Sequence, residues 1–216
     1  MKLFKFFTAG ALMLGAVTVA NAQENVSNTD NMSVRWGVKG GVNFATINGG
    51  DVNDSPDSRT SFHVGLLAEF PLSEMFSLQG EVLYSGQGAE VTESYLDLTA
   101  PGGVRTQKAE LQLDYINVPI LAKVYLFKGF SLEAGPQFSF LLNDEIDTNP
   151  NGNSGDSPTP FRRELKTFEV GAAGGATFQT EMGLFATARY TQGITNIVDN
   201  FNAQNAVFQL GIGYKF

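Results

Sequence analysis

From Val34 to Phe216, apolar residues recur at every second position in eight separate segments. That period marks strands whose two faces meet different surroundings. In Val34–Phe44 one face carries Val34, Trp36, Val38, Val42 and Phe44, and the other Arg35, Lys39 and Asn43 with glycines between them. Ser61–Phe70, Phe76–Ser85, Phe130–Leu142, Phe168–Phe178, Leu184–Tyr190 and Ala206–Phe216 repeat the alternation. Leu111–Leu126 is less regular: Leu111, Leu113 and Tyr115 are out of phase with Val118, Ile120, Ala122, Val124 and Leu126. A β-bulge near Ile116–Pro119 would restore the register, and proline is tolerated at such a place.

The connections between these segments alternate in length. They are long at Ala45–Thr60, Gly86–Glu110, Asn143–Thr167 and Thr191–Asn205, and short at Pro71–Met75, Phe127–Gly129 and Gln179–Gly183. A soluble sandwich has no reason to sort its loops by parity. Short periplasmic turns alternating with longer external loops are the pattern of an outer-membrane barrel, and tilted strands of these lengths cross a bilayer. The expected fold is therefore all-β: an eight-stranded antiparallel up-and-down transmembrane β-barrel. Aromatic residues near the strand ends, among them Trp36, Phe44, Phe62, Phe70, Tyr190, Tyr214 and Phe216, fall where interface girdles belong.

The first residues read as an address. Lys2 and Lys5 precede an uncharged stretch, and Ala20-Asn21-Ala22 is a small-x-small cleavage site, so residues 1–22 are expected to be a signal peptide cut between Ala22 and Gln23. Residues 23–33 form a polar lead-in, and 34–216 the barrel domain. With no Cys anywhere, disulfides, thiolate nucleophiles, Cys-based zinc sites and a lipoprotein anchor are excluded.

Charge is sorted by position. Removing Lys2 and Lys5 leaves 12 basic against 22 acidic residues, a net −10 that disfavours nucleic acid as a partner. Within Ala45–Thr60, Gly86–Glu110, Asn143–Arg162 and Thr191–Asn205 stand Asp51, Asp54, Asp57, Glu90, Glu93, Asp97, Glu110, Asp144, Glu145, Asp147, Asp156 and Asp199 against Arg59, Arg105, Lys108 and Arg162. Glu24 and Asp30 in the lead-in supply the rest of the excess, leaving the strands neutral. By strand phase Arg35, Lys39, Lys123 and Arg189 face inward with Glu69, Glu81, Glu133 and Glu169. Four of each sign in a barrel just wide enough for its own side chains implies an internal ion-pair network, not the like-signed lining of an ion-selective pore.

Chemical motifs are sparse. His63 shares a strand face with Ser61, and Glu110 could orient its ring in a hydrolase at the rim. Asp147–Gly152 matches the first half of a calcium loop, but Pro158 occupies the position of the bidentate Glu. Gly171-Ala-Ala-Gly174-Gly175 lacks the Lys-Ser/Thr and the helix of a phosphate loop and reads as barrel wall. No catalytic residue, cofactor or metal site is assigned.

Several longer stretches carry a family resemblance: GVKGGVNFATI (37–47), YINVPILAKVYLF (115–127), SLEAGPQFSFLL (131–142), RYTQGITNI (189–197) and FQLGIGYKF (208–216). In order and spacing they resemble the PorT-like, porin-family outer-membrane β-barrel proteins of Bacteroidetes. The resemblance implies an outer-membrane location, and Phe216 looks like the C-terminal aromatic that barrel assembly machinery recognises. The chain is expected to be non-enzymatic, to contact outer-membrane lipid, and to serve a structural or interaction role with an envelope or extracellular protein partner. A small porin-like channel and an outer-membrane lipid-modifying enzyme or protease are the alternatives.

Overall fold

The computed structural model describes residues 33–49, 57–96, 104–147, 157–158, 165–197 and 202–216. The strands are β1 (Arg35–Asn48), β2 (Asp57–Pro71), β3 (Phe76–Leu96), β4 (Val104–Phe127), β5 (Phe130–Asp147), β6 (Ser157–Pro158), β7 (Phe168–Gln179), β8 (Leu184–Gly193) and β9 (Gln204–Lys215). Eight long strands pair antiparallel with their chain neighbours, β5 pairing directly with β7. The sheet closes on itself because β1 pairs with β9. The two-residue β6 adds only Glu145↔Pro158 and Ile146↔Ser157 to the upper end of β5. Closure leaves no strand edge facing lipid, where an unpaired peptide group has no water to turn to.

Alternation decides which face is which. Trp36, Val38, Val42 and Phe44 on β1 are exposed, as are Phe62, Val64 and Phe70 on β2 and Phe208, Leu210, Ile212 and Tyr214 on β9. Lys39, Glu69, Glu81, Lys123, Glu133 and Arg189 are buried. A chain that exposes apolar rows and buries its charges is folded for a solvent that is apolar outside the wall. From Trp36 to Phe44 the apolar row runs about 26 Å along the strand, or roughly 20 Å across a membrane at a tilt of ~40°.

Connections at one end are tight. The β4–β5 link is Lys128-Gly129, with Gly129 at φ 82°, a left-handed conformation that glycine adopts without Cβ strain. Both termini of the barrel lie at this end, where the Phe216 amide donates to the Trp36 carbonyl at 2.8 Å.

Two sequence expectations need correcting. The strands run beyond their apolar rows: β3 and β4 stay paired out to Leu96↔Val104. Asp57, Glu90, Glu93, Glu110, Asp144, Glu145 and Asp147 therefore stand on strands and not in loops. Backbone pairing needs a neighbouring ladder, not an apolar face, so alternation marks the lipid-facing part of a strand and not its end. The bulge expected near Ile116–Pro119 is also absent, for the β3–β4 register is unbroken there. The phase of β4 never changes: Leu113, Tyr115, Asn117, Leu121 and Lys123 all point into the barrel. What changes is where the apolar residues lie, inside at the long-loop end and outside within the band. The actual irregularities in the β4–β5 pairing fall at Asp114/Tyr115 and at Tyr125/Phe127.

A closed barrel of this kind resists detergent until heated. Unboiled protein is expected to migrate faster than boiled protein on a detergent gel; a β-rich spectrum with no such mobility shift would contradict closure.

Candidate functional site: the barrel lumen

Inward positions of an eight-stranded barrel enclose a space that side chains alone can fill. Here they hold a line of seven charged groups. Lys215 on β9 pairs with Glu69 on β2, and Lys123 on β4 lies 3.5 Å from the same carboxylate and 3.9 Å from Glu133 on β5. Arg189 on β8 joins Glu133 at 2.6 Å to Glu81 on β3 at 2.7 Å, and Glu81 is 3.6 Å from Lys39 on β1. The eighth wall strand, β7, enters through Thr177, whose hydroxyl donates to Glu133 at 3.0 Å.

Arg189 is the hub. Its Nη1 and Nη2 donate to the two oxygens of Glu81, each at 2.7 Å, while Nε and Nη2 donate to Glu133 Oε1 at 2.8 and 2.6 Å. A planar fork can serve two carboxylates in this way, whereas lysine offers a point charge. Gly175, directly across the ladder from Arg189, lets the β8 backbone approach closely. A Cβ there would come within 2.5 Å of the Ala188 carbonyl oxygen and 3.2 Å of Arg189 Cβ. Neutral groups complete the line: Tyr125 donates to Glu69, Gln79 donates to Glu81 at 2.6 Å and accepts from Lys123 at 3.1 Å, and Gln179 accepts from Lys215 at 3.0 Å.

Further toward the long-loop end lies a neutral layer. Asn43 Nδ2 donates to Ser85 Oγ at 3.0 Å and to the Gly86 carbonyl at 2.8 Å, so its Oδ1 is the acceptor for Gln209 Nε2 at 3.0 Å and for His63 Nδ1 at 2.7 Å. That arrangement puts the proton of a neutral imidazole on Nδ1. Next come Tyr115, Glu169 and Asn205, joined by hydrogen bonds. Above them Ile47, Ala89, Leu113, Ile197 and Ala203 form an apolar cluster against which Leu111, Leu141 and Leu165 pack. The returning chain is tied over this cluster by Lys166 N to Ile197 O and Ile197 N to Ala203 O, at 2.8 and 2.9 Å. At the opposite, short-turn end the lumen opens into a vestibule of about 780 Å³ whose walls include Arg35, Tyr125, Lys128 and Lys215.

Six of the eight inward residues expected from sequence, Lys39, Glu69, Glu81, Lys123, Glu133 and Arg189, therefore meet in one line. Arg35 does not join them. It is exposed at the first position of β1, where the lumen has already opened to water and a guanidinium can stay hydrated. Glu169 is buried but lies apart from the line, with Tyr115 and Asn205. Lys215, which the expected network did not include, takes the fourth cationic place, its amine reaching Glu69 past β1, the strand between β9 and β2. His63 is not at the rim but 1% exposed inside the barrel, while Ser61 donates to the Gly86 carbonyl and Glu110 pairs with Arg59. The three do not assemble into a triad. Gly171–Gly175 lies within β7, as wall. The signal cleavage site at Ala22 and Gln23 and most of the calcium-like loop lie outside the described residues. Among those that are described, no group of three or more His, Cys, Asp or Glu side chains is placed to hold a metal. Phe216 is exposed beside Trp36 at the seam.

A closed eight-stranded wall with an apolar exterior and charged interior defines the class: a transmembrane β-barrel of an outer membrane. The chain belongs to the family described as outer membrane protein beta-barrel domain, whose model matches residues 21–199, and the outer membrane is its location. No curated protein sequence matches it. Among solved structures, the fold is similar to Neisserial surface protein A (NspA), with a TM-score of 0.52 at 14% identity over 85% of this chain and 99% of that one. Ail, the attachment invasion locus protein of Yersinia pestis, aligns at a TM-score of 0.48 and 13% identity, covering 86% of this chain and 100% of Ail. OprG of Pseudomonas aeruginosa aligns at 0.40 and 12% identity, over 86% and 97%.

Removing one partner of a buried pair strands the other. Arg189→Met should lower folding stability by about 3–5 kcal/mol because it leaves Glu81 and Glu133 facing each other. Arg35→Ala should change it by less than about 0.5 kcal/mol. Urea unfolding of the two variants in detergent checks both; equal effects would remove the distinction between line and mouth.

Proposed function

We propose that this protein is a closed outer-membrane barrel with a structural or interaction role, a stable pedestal that presents acidic extracellular loops to an envelope or extracellular protein partner. The observation that carries the reading is the unbroken ion-pair line from Lys39 to Lys215, to which every wall strand contributes. Opposite charges at these separations fill the lumen's width and leave no single-signed path for an ion. The apolar cluster of Ile47, Leu113 and Ile197 supports closure from the other side. Separation of Ser61, His63 and Glu110 into unrelated contacts supports a non-catalytic role. Within its family we read the chain as PorT-like, on the motifs at 37–47, 115–127 and 208–216, with Phe216 engaging the assembly machinery during biogenesis.

The second reading, a small porin-like channel for ions or small solutes, draws on the vestibule of about 780 Å³, which would be its periplasmic entrance. Planar-bilayer recording separates the two. The folded protein is expected to give no steady conductance. Glu81→Gln combined with Glu133→Gln, which releases Arg189, is expected to introduce current fluctuations. Reproducible unitary steps from the unmodified protein would overturn the closed reading in favour of the channel.

A further inference from the structure

Beyond the ion-pair line the lumen holds one more acid, and it is held differently. Glu169 is 4% exposed and receives hydrogen bonds only from neutral donors, the Tyr115 hydroxyl and Asn205 Nδ2, the latter at 3.3 and 3.1 Å. Every one of these contacts donates to the carboxylate, the arrangement that suits its ionised form. None of the ion pairs among the described residues includes Glu169. Along β9, Gln209 lies between Asn205 and Lys215, so a neutral layer separates this acid from the cations of the line. A buried charge without a counter-charge is unfavourable wherever water cannot reach it.

Beside Glu169 is a cavity of about 10 Å³, room for one water-sized occupant. Gln137, Ser139, Thr191 and Asn205 line it together with Glu169, oxygen-bearing side chains drawn from four strands, with Val170, Val207 and two glycines completing the wall. Asn205 Oδ1 is buried with no hydrogen-bond partner, and Gln137 Oε1 receives only a 3.5 Å bond from Thr191. Gln87 adds an amide whose Nε2 is also unpartnered, and which can turn its oxygen to the cavity. An unpartnered oxygen beside a lone buried carboxylate suits a positive occupant. Water would satisfy Asn205 Oδ1 but leave the carboxylate uncompensated. A divalent ion would bring more charge than one carboxylate balances, since such ions are retained by several charged oxygens.

We propose that this pocket binds one small monovalent cation of sodium's size, with Glu169 as its charged ligand and Asn205, Gln137, Thr191 and Ser139 supplying neutral oxygens. Occupancy ties β5, β7, β8 and β9 together just beneath the apolar cluster, so the ion acts as a fastener of the extracellular half of the barrel.

The test is thermal unfolding of the full-length barrel in detergent, read by the gel-mobility shift, in sodium chloride and in choline chloride at equal concentration. Choline is too large for the cavity. The unmodified protein should unfold roughly 3 °C or more lower in choline, as expected for loss of a ligand present well above its dissociation constant. Glu169→Gln should show the same midpoint in both salts. Thr191→Val keeps the side chain's shape and should shift the sodium concentration for half-maximal stabilisation upward by roughly threefold or more; this arm stands if Glu169→Gln does not fold. Equal midpoints for the unmodified protein in the two salts would overturn the proposal and assign the cavity to water. A sodium dependence that survives both substitutions would overturn it as well, by placing the ion elsewhere.

Discussion

A bilayer inverts the usual arrangement of a protein, because the wall must be apolar outside and polar groups have only the lumen to go to. Once charges are enclosed there, each must find a partner. The Lys215–Glu69–Lys123–Glu133–Arg189–Glu81–Lys39 line is the solution in this chain. It fixes strand register as well as charge, since slipping any strand by one residue would turn its charged side chain into lipid. Gly175, across the ladder from Arg189, lets the strand that carries this hub lie close to β7.

The lumen changes character along its axis. A hydrated vestibule leads to the ion-pair line, then to the amide and imidazole layer of Asn43, Gln209 and His63, then to the Tyr115–Glu169–Asn205 group, and ends under an apolar cluster. The outer end is thus packed much as a soluble core is packed, with water on the far side. This is why the apolar residues of β4 move from the inner to the outer face while the strand itself runs on unbroken.

Much of this was legible in the sequence. Period-two alternation found all eight wall strands, and loop parity found their order, because lipid imposes a strict rule on one face. Strand phase placed six of the seven members of the line on the inward face as charged residues. The misreadings occur where the rule is relaxed. Beyond the lipid, pairing continues without an apolar row, so the ends of β2–β5 were hidden. Leu111, Leu113 and Tyr115 looked like lipid-facing residues in the wrong phase because an apolar side chain does not reveal whether it faces lipid or a dry interior. Arg35 shares its parity with Lys39, yet the mouth of the barrel begins between them. The partners of Lys215 and Glu169 depend on neighbours across the barrel, which one-dimensional spacing does not contain.

The strands that meet at the seam, β1 and β9, also carry the two ends of the charged line, Lys39 and Lys215. Synthesis makes the first of these long before the last. Until β9 docks, Glu69 has only Lys123 among the line's cations, and the wall is open beside it. Completing the electrostatics and closing the wall are therefore one event, separated from the start of the barrel by nearly its whole length of chain. The barrel's closure thus rests on contacts between residues at opposite ends of its chain, which are among the least local in the fold.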